Sequence, residues 1–343
     1  MNTSEIQKQQ QAELHSTLWD MANDLRGTME AYEFKSYILG MIFFRFLSEK
    51  AEKCAAKLLA DDEANYAEAY TNAEYKEALD EEMIAILGYR IEPRNLFSNL
   101  IDRIGTDDFD VEDLERSISQ IIESTLGTES QEDFQNLFDD MDLKSSKLGR
   151  DVKSRSKVVA KVMLSINKLS FEIEDSEIDV LGDAYEYLIG MFAQTAGKKA
   201  GEFYTPQQVS KILAKIVTMG KSNLKSVYDP CCGSGSLLLR VGKECDVTHY
   251  YGEELTATTY NLARMNMLLH DVKYQQFHIH NTDTLERPTF MGDEFSAVVA
   301  NPPYSAKWSA DNSFLDDERF SGFGKLAPSS KLILHLCNIC YTT

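Results

Sequence analysis

Positive charge and long apolar runs are both scarce in this sequence, and each shortage excludes a class of protein. The 343 residues include 35 Lys and Arg against 55 Asp and Glu, which gives a formal net charge of −20. Lysine and arginine contacts to phosphate supply most non-specific affinity for DNA, so this chain is not expected to grip nucleic acid unaided. The most apolar run, residues 37–47, is too short to span a bilayer and contains Arg45.

Cysteine is also sparse, with six in the whole chain. In a chain of this size they are expected to be reduced thiols. Cys231 and Cys232 are adjacent and lack the spacing of zinc ligands. Cys337 and Cys340 have half of a zinc or redox pattern, but no second pair follows them. The sequence therefore predicts no metal site. The polar, Gln-rich residues 1–11 do not resemble a signal peptide, so a soluble cytoplasmic protein is expected, with no membrane partner.

The one dense basic run lies between Lys144 and Lys161. It is either a solvated helix face or a surface that faces DNA, and both interpretations stay open. An acidic body opposes DNA binding unless a basic face is set apart or a basic partner is brought in. The charge therefore indicates a subunit of a larger assembly.

Two domains are expected from the length, with residues 1–165 helical and residues 166–343 α/β. In the first part, Leu14, Leu18, Met21 and Leu25 recur at three- and four-residue steps and predict an amphipathic helix. A second, buried helix is predicted over residues 33–59. Shorter helices are predicted over residues 81–87, 113–122 and 132–138. One interpretation of this domain is a stabilising helical cap.

Strands and helices alternate in the second part. A strand is predicted to end at Asp229, and others are predicted over residues 248–254, 277–280 and 295–300. A helix over residues 256–269 separates the second strand from the third. Such alternation specifies a parallel sheet with helices on both faces.

A glycine-rich turn follows the first strand, and its members are Asp229, Gly233, Ser234, Gly235 and Ser236. The glycines let the backbone turn sharply and approach a ligand. The Asp229 carboxylate is placed to accept from a ligand amine or from the amides of its own turn. In this type of sheet, ligands bind at the carboxyl ends of the strands.

Two further acids are predicted at the same edge of the sheet. Glu254 ends the second strand, where an acid binds the hydroxyls of an adenosine ribose. Leu238 stands where the dinucleotide fingerprint has its third glycine, which disfavours a pyrophosphate ligand. Asp283 follows the third strand and either accepts from the amine of an adenine or forms an Asx turn.

A helix start and a proline turn complete the candidate site. Residues Glu202, Phe203, Tyr204, Thr205, Pro206 and Gln207 precede a predicted helix that runs towards Val217. Thr205 is a good N-cap and Pro206 a good first helical residue, so free amides there would hold a carboxylate. The other group, Asn301, Pro302, Pro303 and Tyr304, follows the fourth strand.

These motifs carry a family resemblance. Asp-Pro-x-x-Gly-x-Gly followed by Asn-Pro-Pro-Tyr resembles the amino-methyltransferases that use S-adenosylmethionine (SAM), and Phe-Tyr-Thr-Pro upstream gives the order of DNA adenine methyltransferases. The sequence also resembles the methylation subunit of type I restriction–modification systems from about Leu14 to Lys331. The residues that carry this closer resemblance are Leu18–Trp19, Leu25–Gly27, Tyr37–Gly40, Phe46–Glu49 and Tyr260–Met267.

The resemblance implies a helical N-terminal domain joined to a Rossmann-like SAM-dependent methyltransferase domain that is incomplete at its C-terminal strands. It implies N6-methylation of a flipped-out adenine in DNA. Asn301 and the Pro302 carbonyl would accept the N–H groups of the target amine, and Tyr304 would stack on the base. The implied partners are DNA, a specificity subunit, a restriction subunit and a second copy of the chain. Two alternatives remain: a protein-glutamine N5-methyltransferase, and a non-catalytic assembly subunit.

The last residues depart from the family pattern. After Lys331 the family continues with a segment similar to Ala-Asp-Phe-Ala-Phe-Val-Gln-His-Met-Leu, whereas this chain reads Leu-Ile-Leu-His-Leu-Cys-Asn-Ile-Cys-Tyr over residues 332–341. One set of codons for the second string encodes the first in a shifted frame once a single G is placed before it. We therefore predict a frameshift just after Lys331 that truncates the protein. Lost strands would uncover the sheet, and we expect poor solubility and loss of activity.

Overall fold

The structure is a computed structural model that describes residues 31–61, 64–169, 185–190, 205, 207–303 and 311–321. The chain divides into two compact units, Met1–Leu188 and Ile189–Thr343. The sequence-based domain boundary after residue 165 lies within the first unit and stays a prediction. The predicted amphipathic helix at Leu14–Leu25, residues 304–310 and the tail at 332–343 lie outside the described residues.

The described part of the first unit is helical, as predicted. Its helices are α1 (Ala31–Leu58), α2 (Tyr66–Ala69), α3 (Ala73–Leu87), α4 (Phe97–Gly105), α5 (Val111–Ser124), α6 (Gln131–Phe134) and α7 (Val152–Asn167). A 3₁₀ turn at Pro93–Asn95 precedes α4, and residues 185–190 are also helical.

Helix α1 is the central element of this unit, because its middle is apolar on every side. Its fully buried side chains include Ile38, Met41, Ile42, Phe43 and Phe44. Arg45 donates from Nη1 to the carbonyl oxygens of Ile166 at 2.6 Å and Leu169 at 3.0 Å, at the end of α7. The prediction of a buried helix at 33–59 is therefore confirmed, and its one arginine joins two helices.

The basic run coincides with α7. Val159, Val162, Met163 and Ile166 form its buried face. Lys153, Lys157 and Lys161 recur every fourth residue and are exposed. Residues four apart lie on one face of a helix, so the lysines form an exposed row. We call Lys153, Lys157 and Lys161 the lysine row. Its exposure fits both interpretations of the run.

The second unit is built on a sheet of four described strands. They are β1 (Asn223–Asp229), β2 (Asp246–Glu254), β3 (Phe277–Asn281) and β4 (Ala297–Val298). Their order is β3-β2-β1-β4, and every neighbouring pair is parallel. The α/β class and the predicted strands are confirmed, except that β4 is shorter than residues 295–300.

Three helices of this unit are α8 (Gln207–Val217), α9 (Ser236–Gly242) and α10 (Ala257–Leu269), and α8 contacts α9. A short helix, α11 (Glu318–Ser321), follows a 3₁₀ turn at Asn312–Asp316. Helix α9 contacts β1 and β2, and α10 contacts β2 and β3. Within the described residues, no helix is both long enough and apolar enough to cross a membrane.

One face of the sheet carries a cluster of rings. The Tyr228 ring stacks on Phe295 with centroids 4.7 Å apart, and Tyr251 lies 5.1 Å from Phe295 and 4.9 Å from His278. Phe290 packs edge-on against Tyr228 at 5.7 Å. These rings fix the segment that precedes β4 against the middle of the sheet.

Candidate active site

The glycine-rich turn begins at the tip of β1. Asp229 is 2 % exposed, and its Oδ1 accepts from the Cys231 amide at 3.0 Å. Gly233 and Gly235 have φ angles of 57° and 78°. A Cβ on Gly235 would lie 3.1 Å from Cε of Met267. Positive φ favours glycine at both positions, and the tight contact at Met267 adds to this preference at Gly235. The predicted turn is therefore present, and its sharpness comes from these two glycines.

Neighbouring elements hold the turn in place. The Cys232 amide donates to the carbonyl of Glu253 on β2 at 2.9 Å. Asn266 on α10 donates from Nδ2 to the Ser234 carbonyl at 3.0 Å, and both residues are fully buried. The Ser234 and Ser236 hydroxyls are 2.9 Å apart. The turn is thus anchored from β2 and α10 at once, and these two contacts fix its conformation.

Burial controls the acid–base chemistry of this turn. Burial raises the pKa of the Asp229 carboxyl to about 7, and the hydrogen bond from Cys231 opposes that rise. Burial also raises the pKa of the Cys232 thiol well above its ordinary value. A neutral thiol is a poor metal ligand. In the described part of the chain, no group of His, Cys, Asp and Glu is arranged to hold a metal ion.

Glu254 is the last residue of β2 and is half-buried. Its Oε1 accepts from the Thr256 amide at 2.8 Å, at the start of α10. This contact orients the carboxylate at the sheet edge. Asp229 is level with Gly252 in the β1–β2 ladder, so Glu254 lies two residues beyond it.

Asp283 follows β3 in a tight turn. Its Oδ1 accepts from the amides of Leu285 at 3.0 Å and Glu286 at 3.4 Å. The Asx turn is therefore formed. Among the described residues none donates to Oδ2, and the predicted contact of Asp283 with an adenine amine stays a prediction. Both interpretations of Asp283 are compatible, because each uses a different oxygen.

The helix-start motif is described only at Thr205 and from Gln207 onwards; Glu202, Phe203, Tyr204 and Pro206 lie outside the described residues. Thr205 is 7 % exposed, and its carbonyl accepts from the Ser210 hydroxyl at 3.1 Å. Gln207 is the first residue of α8 and is exposed. The predicted helix is confirmed from Gln207 to Val217, and the predicted carboxylate site at its start stays a prediction.

The proline turn follows β4 directly. Val298 is level with Tyr228 in the β1–β4 ladder, and the Val299 amide donates to the Tyr228 carbonyl at 2.9 Å. Asn301, Pro302 and Pro303 are half-buried, and Tyr304 lies outside the described residues. Because parallel strands end at one edge, Asn301 and the residues after Asp229 lie at the same end of adjacent strands.

Two residues that the sequence analysis did not select also contribute. Glu253 is fully buried, and its two oxygens accept from the Tyr228 hydroxyl and the Thr289 amide. Arg319 is 2 % exposed and donates to the carbonyl oxygens of Thr284 and Leu285. Alternation along β2 indicates that Glu253 and Glu254 point to opposite faces. The sequence has no comparable signal for Arg319.

Two family models match this chain. Residues 14–166 match the HsdM N-terminal domain model, and residues 176–341 match the N-6 DNA methylase model. A crystal structure of the methyltransferase subunit of a type I restriction–modification system from Streptococcus thermophilus is 41 % identical, with a TM-score of 0.87. This chain covers 72 % of that structure with 97 % of its own length. The chain belongs to the family of type I methylase subunits.

Curated members of this family are also similar. The methylase subunit of the type I restriction enzyme MpnII from Mycoplasma pneumoniae is 40 % identical, over 92 % of this chain and 62 % of the relative. The MjaIX methylase subunit from Methanocaldococcus jannaschii is 26 % identical, over 92 % of this chain and 55 % of the relative. The chain therefore spans less than two thirds of the length of these relatives.

Proposed function

We propose that this chain is the SAM-dependent DNA adenine N6-methyltransferase subunit of a type I restriction–modification complex. The observation that carries the proposal is the arrangement at one edge of the sheet. A glycine turn follows β1, an acid ends β2, another acid follows β3, and Asn301-Pro302-Pro303 follows β4. Family membership supports the same activity.

The residues present fit SAM. Gly233 and Gly235 both have positive φ, so glycine lets the turn bend sharply and bring its backbone close to a ligand. Glu254 would accept from the ribose hydroxyls, and Asp283 Oδ2 from the exocyclic amine of the adenine. The start of α8, with Thr205, would hold the methionine carboxylate. The absence of a third glycine at Leu238 fits a ligand without pyrophosphate. Bound SAM supplies an electrophilic methyl group.

The protein's part of the chemistry is to prepare the target amine. The lone pair of an exocyclic base amine is conjugated into the ring, which makes the nitrogen a poor nucleophile. The Asn301 amide oxygen and the Pro302 carbonyl would accept its two N–H groups and favour a tetrahedral nitrogen. The prolines lack amide protons and stiffen the turn. Tyr304 would stack on the flipped base. Positioning and electrostatics then supply most of the rate.

The partners are inferred from family membership, and the charge agrees with a need for them. A chain with a net charge of −20 needs help to hold a polyanion. We infer that a specificity subunit binds the DNA sequence, with a second copy of this chain and a restriction subunit completing the assembly. The match to the HsdM N-terminal domain model over residues 14–166 favours DNA over a release factor as the methyl acceptor.

The test is methyl transfer from labelled SAM by the chain copurified with the product of its neighbouring gene. Unmethylated DNA and release factors are offered separately, and digested DNA is analysed for N6-methyladenine by mass spectrometry. Label in N6-methyladenine at defined sites supports the proposal. Label in protein glutamine supports the alternative methyltransferase. SAM binding with no transfer to either acceptor supports a non-catalytic subunit.

A further inference from the structure

Arg319 lies in the segment that follows the proline turn, yet its contacts are with the loop after β3. Its Nη1 donates to the Thr284 carbonyl and its Nη2 to the Leu285 carbonyl, both at 2.9 Å. The side chain is 1 % exposed. These two carbonyls belong to the residues directly after Asp283. A buried arginine therefore binds the backbone of the turn that holds Asp283.

The guanidinium is held in this position by Asp317. Nη2 of Arg319 is 2.7 Å from Asp317 Oδ2, and Nε is 3.0 Å from Oδ1. The Arg319 amide also donates to Oδ1 at 2.9 Å. This bidentate pair fixes the planar fork, so its remaining N–H groups point in set directions. The ion pair also lowers the pKa of the Asp317 carboxyl.

Thr284 extends the connection to the glycine turn. Its hydroxyl donates to the Pro230 carbonyl, and the residue is 6 % exposed. Its carbonyl is the one that accepts from Arg319. One residue thus joins three pieces: the segment after Asn301, the loop of Asp283 and the turn after Asp229. No substrate atom needs to reach Arg319 for it to affect all three.

We propose that Arg319 is a positioning residue that sets the Asp283 carboxylate for the adenine amine of SAM. The inference rests on the proposed function, because it assumes that SAM is the ligand. The guanidinium fixes the backbone at Thr284 and Leu285, and the Leu285 amide in turn fixes Oδ1 of Asp283 at 3.0 Å. Oδ2 then has one orientation towards the ligand. Without Arg319 the carboxylate loses that orientation while keeping its charge.

The experiment is calorimetry on the full chain with SAM and with two analogues of SAM. The first analogue is the reaction product, S-adenosylhomocysteine. The second is the same compound with an oxygen in place of the exocyclic amine of the adenine. In the unmodified protein the first analogue binds more tightly, because its exocyclic amine donates to Asp283, whereas the exocyclic oxygen of the second can only accept. In Arg319→Ala, SAM affinity is expected to fall roughly tenfold, and the preference between the analogues is expected to fall towards one.

A double-mutant cycle separates positioning from general damage. If Arg319 acts through Asp283, then Arg319→Ala in an Asp283→Ala background costs less than about twofold, because contacting residues are not additive. Arg240→Ala is the matched control, since Arg240 makes its ion pair with Glu244 on its own helix end. It is expected to leave both affinities and the analogue preference unchanged.

The binding measurements distinguish failure of the positioning role from failure of the proposed function. Arg319→Ala with an unchanged analogue preference, or with losses that add to those of Asp283→Ala, overturns the positioning role. If Arg319→Ala does not melt cooperatively, Arg319→Lys gives the same comparison, since one ammonium cannot reach both carbonyls and Asp317 together. If the unmodified chain binds SAM but does not prefer S-adenosylhomocysteine over the oxygen analogue, this inference alone is overturned. An unmodified chain that does not bind SAM overturns the proposed function together with it.

Discussion

The Tyr228 hydroxyl donates a hydrogen bond of 2.6 Å to Oε2 of Glu253 across two adjacent strands in the interior of the protein. Tyr228 is 1 % exposed and Glu253 is fully buried. Oε1 of Glu253 accepts from the Thr289 amide in the loop after Asp283. One carboxyl group therefore joins β1, β2 and the loop that carries Asp283, and it belongs to the residue before Glu254 of the candidate site.

Removing the Tyr228 hydroxyl tests this connection. Tyr228→Phe leaves a buried oxygen of Glu253 without its donor, and we expect the free energy of unfolding to fall by about 1–3 kcal/mol. Tyr251→Phe is the control, because its ring packs in the same cluster and its hydroxyl has no hydrogen bond among the described residues. Denaturant unfolding of both variants makes the comparison. Equal losses would contradict the role of the hydroxyl.

The pH dependence of stability is expected to report Asp229. Its pKa is about 7 in the folded protein against an ordinary value of 3.8. Below pH 3.8 both states hold the proton, and the contribution to stability is greatest. Between 3.8 and 7 the unfolded state releases its proton first, so this contribution is lost as pH rises. Asp229→Asn should remove that part of the slope, whereas Asn at the exposed Asp293 should not. A wild-type slope in Asp229→Asn would refute the raised pKa.

Alanine substitutions at Gly235 and Gly292 distinguish the cost of backbone strain from the cost of crowding around a new Cβ. Both have positive φ, 78° and 87°. A Cβ on Gly235 meets Met267 at 3.1 Å, whereas a Cβ on Gly292 meets nothing within 4 Å. Alanine at either position should cost about 1–2 kcal/mol from φ alone. Gly235→Ala should lose more stability, and also SAM affinity. Melting curves and calorimetry measure these losses. Equal losses of stability and of SAM affinity in the two variants would contradict this expectation.

Glu254→Ala is expected to weaken SAM binding by roughly 1–3 kcal/mol, because two ribose hydroxyls lose their acceptor. Glu254→Gln keeps one acceptor oxygen, and we expect an intermediate loss. Ala at the exposed Glu294 is the control for removing a carboxylate from this unit. Calorimetry on the SAM-binding form decides. Unchanged affinity in Glu254→Ala would rule out the ribose contact.

Asn301→Ala should abolish methyl transfer and leave SAM affinity nearly intact, since its amide would contact the target amine and not the cofactor. The matched control is Asn312→Ala, an exposed asparagine in the segment that follows. Transfer of labelled methyl to DNA and SAM calorimetry are measured on the same preparations. A parallel loss of SAM binding in Asn301→Ala would place its side chain at the cofactor instead.

The sequence predicted correctly those helices and strands whose structure depends mainly on their own residues. The apolar run at 37–47 predicted α1, and the end of β1 at Asp229 was predicted to the residue. Helix α4 was missed because its start is capped from another helix. Its N-cap, Leu96, has no capping side chain, and the Phe97 amide instead donates to the Ser48 hydroxyl of α1 at 3.1 Å. Sequence patterns do not contain a cap supplied from so far along the chain.

The extent of β4 was also set by a distant residue. The run at 295–300 predicted a full strand, but only Ala297 and Val298 pair with β1. The Ser296 amide donates to the Ser226 hydroxyl at 3.1 Å, so a side chain takes the place of the ladder bond there. In the site, strand ends located Asp229, Glu254, Asp283 and Asn301, whereas Arg319 depends on a contact across 35 residues of sequence.

The lysine row on α7 makes the first unit electrically uneven. Helix α7 carries Lys153, Arg155, Lys157 and Lys161 and no acidic residue, in a chain whose net charge is −20. Net charge governs how a molecule drifts in an electric field, but the distribution of charge governs how it turns. The lysine row is therefore a local region of positive charge in a chain that repels polyanions as a whole. Salt weakens both the local attraction and the net repulsion.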